Sequence, residues 1–366
     1  MTVAAEELPP PYNIGSSVVE AKDSLPFVYV TINEDQSFPF RVGELITGTV
    51  YVTPKIDLKF ESLAIDLNES IILRTRKWSA SPSLNRSIVL DRQSISSAAY
   101  PSDKVFRKGL RYAFTYNMRV PPMHSAIHCE CELPFHYHLP ASLGSPTEAF
   151  DDELDVCEKH VVVSYQVRAR IMGPNDKALY RSGQFFTLIP EYPPALLDWD
   201  LRPQAVNSLL PNGSVSIHVN RVPIIYIDRP DPTNVGVKLR FESLSSIPRI
   251  KSIKTKLIGL TTSSMEQMDR YPDPYDPDVL TKSEEYPSTN VPLENCSITF
   301  KSMSAELTIP LHTPKRKLRK IVPTFFSCHA TRQYRMKLTV HFKYSKASII
   351  FPVVLIYDFG PPYNYQ

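Results

Sequence analysis

The sequence has no uninterrupted apolar stretch near the ~20 residues that a membrane-spanning helix requires. Its first residues, Met1 to Glu7, do not form a basic segment followed by an apolar run, as a secretory signal would. Cysteine is also scarce: the 5 cysteines are an odd number, scattered along the chain, and do not resemble the disulfide framework of a secreted protein. We therefore expect a cytoplasmic protein.

Catalytic signatures are missing as well. There is no glycine-rich phosphate loop, no His-Glu-x-x-His helix and no Gly-x-Ser-x-Gly elbow. Cys328 and His329 are sequence neighbours, and neighbouring side chains on a strand point to opposite faces, so we expect them not to form a catalytic pair. The sequence predicts a protein that is not an enzyme and has no cofactor.

Glycine is rare and proline abundant, with 11 and 34 residues, while the hydrophobic content of 42% and charged content of 22% are ordinary for a globular protein. Short β-branched runs such as Phe27 to Ile32 and Leu45 to Val52 recur between turn residues. Residues 336–344 alternate strictly, which predicts that Met336, Leu338, Val340, Phe342 and Tyr344 share a core-facing side. These patterns predict an all-β protein of short strands.

A chain of 366 residues exceeds the usual size of a single core, so we expect two domains. The prolines around Tyr192 interrupt the strand pattern. Polar composition predicts long solvated loops over Ser79 to Ser97 and Met265 to Glu294. The predicted organisation is a disordered tail over residues 1–24, a domain over 25–190, a linker over 191–212, a second domain over 213–359 and a short tail over 360–366.

The peptide Leu8-Pro9-Pro10-Pro11-Tyr12 matches the Pro-Pro-x-Tyr pattern that WW domains bind. Proline fixes φ before binding, so the peptide is already close to a polyproline II helix and loses little entropy on docking. Pro9, Pro10 and Pro11 supply the rigid helix, and Tyr12 supplies the ring and hydroxyl that the groove recognises. The sequence therefore predicts a WW-domain partner.

A related peptide, Gly360-Pro361-Pro362-Tyr363, has glycine in the first place and is predicted to be a weaker, secondary site. A partner with tandem WW domains could engage both peptides, and such linkage raises apparent affinity without any new contact.

Residues 315–320 form the strongest local charge feature, with Lys315, Arg316, Lys317, Arg319 and Lys320 on a chain whose net charge is only +3. Each cation near an anionic leaflet adds about 1 kcal/mol, so the run is predicted to contact anionic membranes or acidic partners. An ordinary solvated loop is the alternative. No aromatic platform surrounds the run, which argues against nucleic acid.

Cys129, Cys131, His136 and His138 are the densest group of metal-capable side chains, and each pair would share one face if its segment formed an extended strand. Zinc sites usually separate their cysteines by two to four residues, a spacing that this group does not have. The alternative is partly buried thiols and surface histidines, and we predict no metal site.

Several segments together resemble the alpha-arrestin family. Gly43-Glu44 opens a strand containing Ile46-Thr47-Gly48-Thr49-Val50, in which Gly48 indicates a bulge or a close backbone approach. The aromatic segment Gly109 to Tyr116, the loop Leu139 to Ser142 and the strand His160 to Ile171 then follow in the family's order. The resemblance implies two tandem immunoglobulin-like, arrestin-type β-sandwiches over about Phe27 to Phe359.

That resemblance implies an adaptor that recruits a WW-domain ubiquitin ligase of the HECT class to a membrane transporter or receptor, and so promotes its ubiquitination and endocytosis. The expected location is cytoplasmic and peripheral, at the plasma membrane or endosomes. In the family such docking peptides usually follow the second domain, whereas Pro9 to Tyr12 precede the first. A sorting scaffold of retromer type, acting without ubiquitin, is the alternative, and a zinc-dependent hydrolase is a third reading.

Overall fold

The computed structural model describes residues 27–33, 39–73, 84–124, 133–144, 161–190, 204–211, 213–244, 247–270, 272, 276, 278–313 and 321–358. Within them the chain forms β-strands and four short 3-10 helices, Ser97–Ala99, Pro134–Tyr137, Pro174–Asp176 and Leu293–Asn295, and no α-helix. The predicted all-β class is therefore confirmed.

The strands up to residue 189 are β1 (Val28–Ile32), β2 (Phe40–Arg41), β3 (Leu45–Val52), β4 (Leu58–Lys59), β5 (Ser62–Leu73), β6 (Leu84–Ser94), β7 (Val105–Phe106), β8 (Tyr112–Arg119), β9 (Val161–Met172), β10 (Ala178–Phe186) and β11 (Leu188–Ile189). Those that follow are β12 (Gln204–Leu210), β13 (Gly213–Val219), β14 (Ile224–Tyr226), β15 (Thr233–Glu242), β16 (Ile250–Ser263), β17 (Leu280–Glu285), β18 (Thr289–Val291), β19 (Ser297–Lys301), β20 (Ser304–Leu311), β21 (Phe325–Phe326), β22 (Ala330–Phe342) and β23 (Lys346–Ile356).

The chain divides into two compact units. The first unit comprises Met1–Ile71, Asn85–Ala126 and Val163–Ile189, and the second comprises Ile72–Leu84, Ile127–Val162 and Pro190–Gln366.

The first unit contains a three-stranded sheet in the order β1-β3-β8, a four-stranded sheet in the order β10-β9-β5-β6, and the short pairs β11-β2 and β4-β7. Gly48 shows why the sequence needs glycine inside β3. Tyr116 of β8 lies opposite Gly48, and its hydroxyl reaches across β3 to donate to the Thr31 carbonyl at 2.9 Å. A β-carbon at Gly48 would stand 1.9 Å from that carbonyl oxygen, so the close approach predicted at Gly48 is confirmed.

The second unit contains a five-stranded sheet in the order β12-β13-β15-β20-β19 and a seven-stranded sheet built on β14-β23-β22-β16-β17, with β18 and β21 at its side. One continuous core draws residues from both sheets, such as Val215 and Leu239 from the first and Ile253 and Phe351 from the second. Two sheets sharing one core make this unit sandwich-like.

The alternation predicted for β22 is confirmed for its four buried residues, Met336, Leu338, Val340 and Phe342. It is wrong for Tyr344, which is 79% exposed, because β22 ends at Phe342 and Tyr344 lies in the turn before β23.

Three predicted irregular segments contain strands. Part of the predicted linker over residues 191–212 is β12, which pairs antiparallel with β13 from Gln204↔Val219 to Leu210↔Gly213. Residues 191–203 lie outside the described part. The predicted loop Ser79 to Ser97 contains β6, in which Leu84, Arg86, Ile88 and Leu90 alternate with exposed residues. The predicted loop Met265 to Glu294 contains β17 and β18, because both pair with the long strand β16. Backbone pairing outweighs the polar composition in all three.

Candidate functional site

The sequence-predicted docking residues cannot be placed in the fold. Pro9, Pro10, Pro11 and Tyr12 lie outside the described residues, and so do Pro361, Pro362 and Tyr363. The same holds for the basic run of Lys315, Arg316, Lys317, Arg319 and Lys320, which falls between the described residues Thr313 and Ile321. These sites remain predictions.

Of the four metal-capable side chains considered in the sequence, His136 and His138 are described, whereas Cys129 and Cys131 are not. The His136 ring stacks on Phe326 with 5.0 Å between ring centroids. Burial, helped by the nearby charge of His329, lowers the pKa of His136 to about 4, and burial also lowers the pKa of His138. No group of three or more metal-ligating side chains is arranged to hold an ion within the part of the chain that the structure describes.

Cys328 and His329 lie in the turn before β22 and not on a strand, contrary to the basis of the sequence argument. Cys328 is buried, and a His329 ring nitrogen lies 3.2 Å from the Ser264 carbonyl oxygen.

A polar groove lies on the outer face of the five-stranded sheet in the second unit. It has a volume of about 420 Å³ and is lined by His218, Asn220, Gly236, Val237, Lys238, Arg240, Glu306, Leu307 and Thr308. A smaller cavity of about 260 Å³ beside Arg221 and Thr233 also reaches Gly236. We refer to the larger cavity as the sheet groove.

Strand alternation places the polar residues of the sheet groove. In β15 the residues Val235, Val237, Leu239 and Phe241 are buried in the core, so Gly236, Lys238 and Arg240 face outward. The register sets His218 of β13 opposite Lys238, and Lys238 opposite Glu306 of β20. Three neighbouring strands therefore present one polar row across the sheet.

Gly236 forms the floor of the sheet groove. A β-carbon at this residue would meet only one neighbouring atom, Asn220 Nδ2, at 3.8 Å, so the space above the backbone is open. Glycine in a strand interior forgoes side-chain packing and often marks a place where a ligand or another backbone comes close.

The sheet groove and its edge carry more positive than negative charge. Glu306 Oε2 accepts a hydrogen bond from Lys301 Nζ at 2.9 Å, and Glu306 Oε1 lies 3.7 Å from Lys238 Nζ. The hydrogen bond and charge of Lys301, together with Lys238, lower the pKa of Glu306. The Arg240 side chain makes no hydrogen bond or ion pair within the described residues. Two lysines thus pair with one carboxylate and Arg240 adds a further cation on the same face, so the arrangement favours anions.

A second charged feature crosses the four-stranded sheet of the first unit. Buried Asp66 of β5 accepts a hydrogen bond from Arg92 Nε of β6 at 2.7 Å. Arg170 Nε of β9 also lies 2.7 Å from Asp66, as an ion pair whose N–H does not point at the oxygen. Arg181 of β10 lies directly opposite Arg170, so a third arginine stands beside the two that pair with Asp66. We call these four residues the arginine row.

Beside the row, Arg168 Nη2 donates to Asn68 Oδ1 at 2.7 Å. Burial lowers the pKa of Arg168, and the charges of Arg170, Arg181 and Arg92 lower it further, against the opposite effect of Asp66. Arg168 therefore lies in a cluster in which arginines outnumber the nearby carboxylate of Asp66.

Glu69 lies on the opposite, core-facing side of β5. Its Oε2 accepts from the Tyr165 hydroxyl at 3.5 Å and lies 3.4 Å from His124 Nε2, while its Oε1 has no hydrogen-bond partner. Burial raises the pKa of Glu69 to about 8, although the Arg86 charge and the Tyr165 hydrogen bond act in the opposite direction. This carboxyl group is therefore mostly protonated at neutral pH.

Comparison with models of known protein families and with curated protein sequences gives no match for this chain. The described residues also include no helix long and apolar enough to cross a membrane.

Sequence reasoning missed both charged features. The alternation Val237-Lys238-Leu239-Arg240 and the segment Val167-Arg168-Ala169-Arg170 each signal two arginine or lysine side chains on one strand face. Their partners, Glu306 and Asp66, are on other strands, so only the sheet register brings them together.

Proposed function

We propose that this protein is an adaptor that links a WW-domain ubiquitin ligase of the HECT class to a membrane transporter or receptor. The observation that carries the proposal is the peptide Pro9-Pro10-Pro11-Tyr12, whose residue types and order match what a WW groove binds. Ubiquitin transfer is then the reaction of the partner, and this chain contributes docking alone.

The all-β architecture supports the proposal. Its two compact units agree with two arrestin-type, immunoglobulin-like sandwiches in tandem, which is the finer fold that we propose. Rigid sheets suit an adaptor because they hold a cargo surface in place while a separate docking peptide engages the ligase. We place the protein in the cytoplasm, at the plasma membrane or endosomes when it is bound to cargo.

Ligase capture tests the proposal. Tandem WW domains of a HECT-class ligase, immobilised on beads, should retain the full chain, and Tyr12→Ala should reduce retention strongly. Tyr344→Ala is the matched control, because Tyr344 is an exposed tyrosine in the second unit and lies outside any Pro-Pro-x-Tyr peptide. Equal retention of the Tyr12→Ala variant and the parent would refute ligase docking through this peptide.

Cargo ubiquitination in cells separates the adaptor from a retromer-type scaffold. Membrane proteins that co-purify with the chain should lose ubiquitin when Tyr12 is replaced by Ala. Unchanged ubiquitination, with the membrane proteins still bound, would favour the scaffold.

A further inference from the structure

We propose that the sheet groove is a binding site for a small phosphate-bearing ligand, held by Arg240, Lys238 and His218 above the backbone of Gly236. The site is independent of ligase docking and gives the second unit a function of its own.

The shape of the sheet groove is the first reason. Gly236 lies inside β15, a central strand with pairing partners on both sides, β13 and β20. A side chain would fit there sterically, since a β-carbon meets only Asn220 Nδ2 at 3.8 Å. Glycine therefore keeps a floor of bare backbone open to a ligand, although it weakens a strand. The volume of about 420 Å³ lies within the range of known small-molecule sites, which is roughly 300–1,000 Å³.

Charge is the second reason. Lys301 and Lys238 both approach Glu306, and together these three groups carry a net positive charge. Arg240 adds a further cation that has no partner among the described residues, and it faces the groove two residues beyond Lys238. Same-face positions on a strand lie about 6.6 Å apart, so one compact anion can contact both side chains.

Hydrogen-bond geometry favours phosphate over other anions. The planar guanidinium of Arg240 matches two phosphate oxygens, whereas Lys238 acts as a point charge. His218 and Asn220 add polar groups on the β13 side, and His218 Nε2 lies 3.1 Å from Ser216 Oγ. A phosphate dianion satisfies more of these donors than a single carboxylate does.

Inorganic pyrophosphate is the soluble probe, with titration calorimetry on the full chain in low-salt, magnesium-free buffer. Arg240→Ala should weaken binding by at least about tenfold, since a charge-assisted hydrogen bond is lost. The matched control is Arg249→Ala, because Arg249 is an exposed arginine of the same unit that does not line the groove. Equal loss in the two variants, or no binding by the parent, overturns the proposal.

Gly236→Val is the sharper variant because it fills the groove floor without changing any charge. Valine suits a strand, and the space around residue 236 accepts its side chain. Loss of pyrophosphate binding in Gly236→Val, with an unchanged melting temperature, supports a shaped site. Retained binding means that the anion is attracted only by surface charge, which overturns the proposal. Gly236→Ala replaces the valine variant if that variant is unstable.

Vesicles identify the source of the phosphate. Vesicles of phosphatidylcholine with phosphatidic acid present the phosphate on a lipid, and the basic run of residues 315–320 is intact in both proteins compared. Weaker sedimentation of Gly236→Val than of the parent assigns the site to a lipid headgroup. If Gly236→Val and the parent sediment equally, while only the parent binds pyrophosphate, the sheet groove is assigned to a soluble phosphate ester.

Discussion

Gly259 of β16 lies against the guanidinium group of Arg332 of β22, and a β-carbon at residue 259 would stand 2.6 Å from Arg332 Nη2. Arg332 is fully buried in the second unit. It donates to Thr261 Oγ1 at 2.7 Å, to Glu284 Oε2 at 3.0 Å and to the Tyr286 hydroxyl at 3.1 Å. The missing side chain of Gly259 thus makes room for a cation that ties β22 to β17.

Replacing Arg332 with Met should lower the free energy of unfolding by about 3–5 kcal/mol, because the Glu284 carboxylate would lose its ion pair with Arg332 in a mostly buried site. Chemical denaturation of the full chain, followed by intrinsic fluorescence, measures the change. The control is Lys256→Met, which breaks the ion pair of Lys256 with the exposed Glu285 and should cost less than about 1 kcal/mol. Similar effects of the two substitutions would contradict the assigned role of Arg332.

Glu69→Gln should remove a dependence of stability on pH. The pKa of Glu69 is 4.5 in the unfolded chain and about 8 in the fold, so folding takes up a proton between those values. The parent should therefore lose stability as pH rises through this window, by about 1.4 kcal/mol per pH unit, and level off above it.

The amide in Glu69→Gln cannot ionise, so this variant should be more stable than the parent at pH 7.5 and close to it at pH 5. Thermal melts at both values make the comparison. Glu61→Gln, at an exposed site in the same unit, should leave the parent's pH profile unchanged. A parallel profile for Glu69→Gln and the parent would mean that Glu69 is ionised in the fold.

The two Pro-Pro-Tyr peptides should contribute unequally to ligase binding. Tyr12→Ala should weaken binding of a single WW domain by about thirtyfold or more, as removal of a central aromatic anchor does, and Tyr363→Ala should have a smaller effect. With tandem WW domains, linkage predicts that either substitution reduces apparent affinity further. Surface plasmon resonance with one and with two WW domains tests this, and a larger effect of Tyr363→Ala would reverse the assignment of the primary site.

Replacing Lys315, Arg316, Lys317, Arg319 and Lys320 with Gln should weaken sedimentation with anionic vesicles. The difference should shrink as salt rises, because salt screens charge attraction, while WW binding through aromatic contacts should stay the same. The control replaces five dispersed, exposed lysines of the first unit with Gln, namely Lys55, Lys59, Lys104, Lys108 and Lys177. Equal loss in both variants would show that total charge matters and that the run does not.

The parts of the fold that the sequence predicts correctly are those with a recognisable residue pattern inside one strand. Alternation in Met336 to Phe342 and a glycine inside the strand pattern at residue 48 can both be read from a short stretch of sequence, and both predictions are confirmed. The strands β6 and β17 were missed because their composition is polar, and β12 was missed because it follows the proline-rich segment around Tyr192; each is held by pairing with a partner distant in sequence or across a turn.

The candidate site was less predictable than the fold. The sheet groove depends on which residue of β13 and of β20 lies opposite Lys238, and no local pattern specifies that register. The docking peptides, in contrast, can be proposed from sequence alone, because all the residues that a WW groove recognises lie within four consecutive positions.

The arginine row also restricts the order in which substitutions can accumulate. Asp66 is buried between Arg92 and Arg170, and Arg181 already faces Arg170 across the strand pair. Loss of Asp66 first would leave three like charges side by side, whereas loss of Arg181 first would relieve repulsion. A viable mutational path therefore removes Arg181 first, while Arg92 and Arg170 must stay as long as Asp66 is present, because a buried carboxylate without its cations is strongly destabilising.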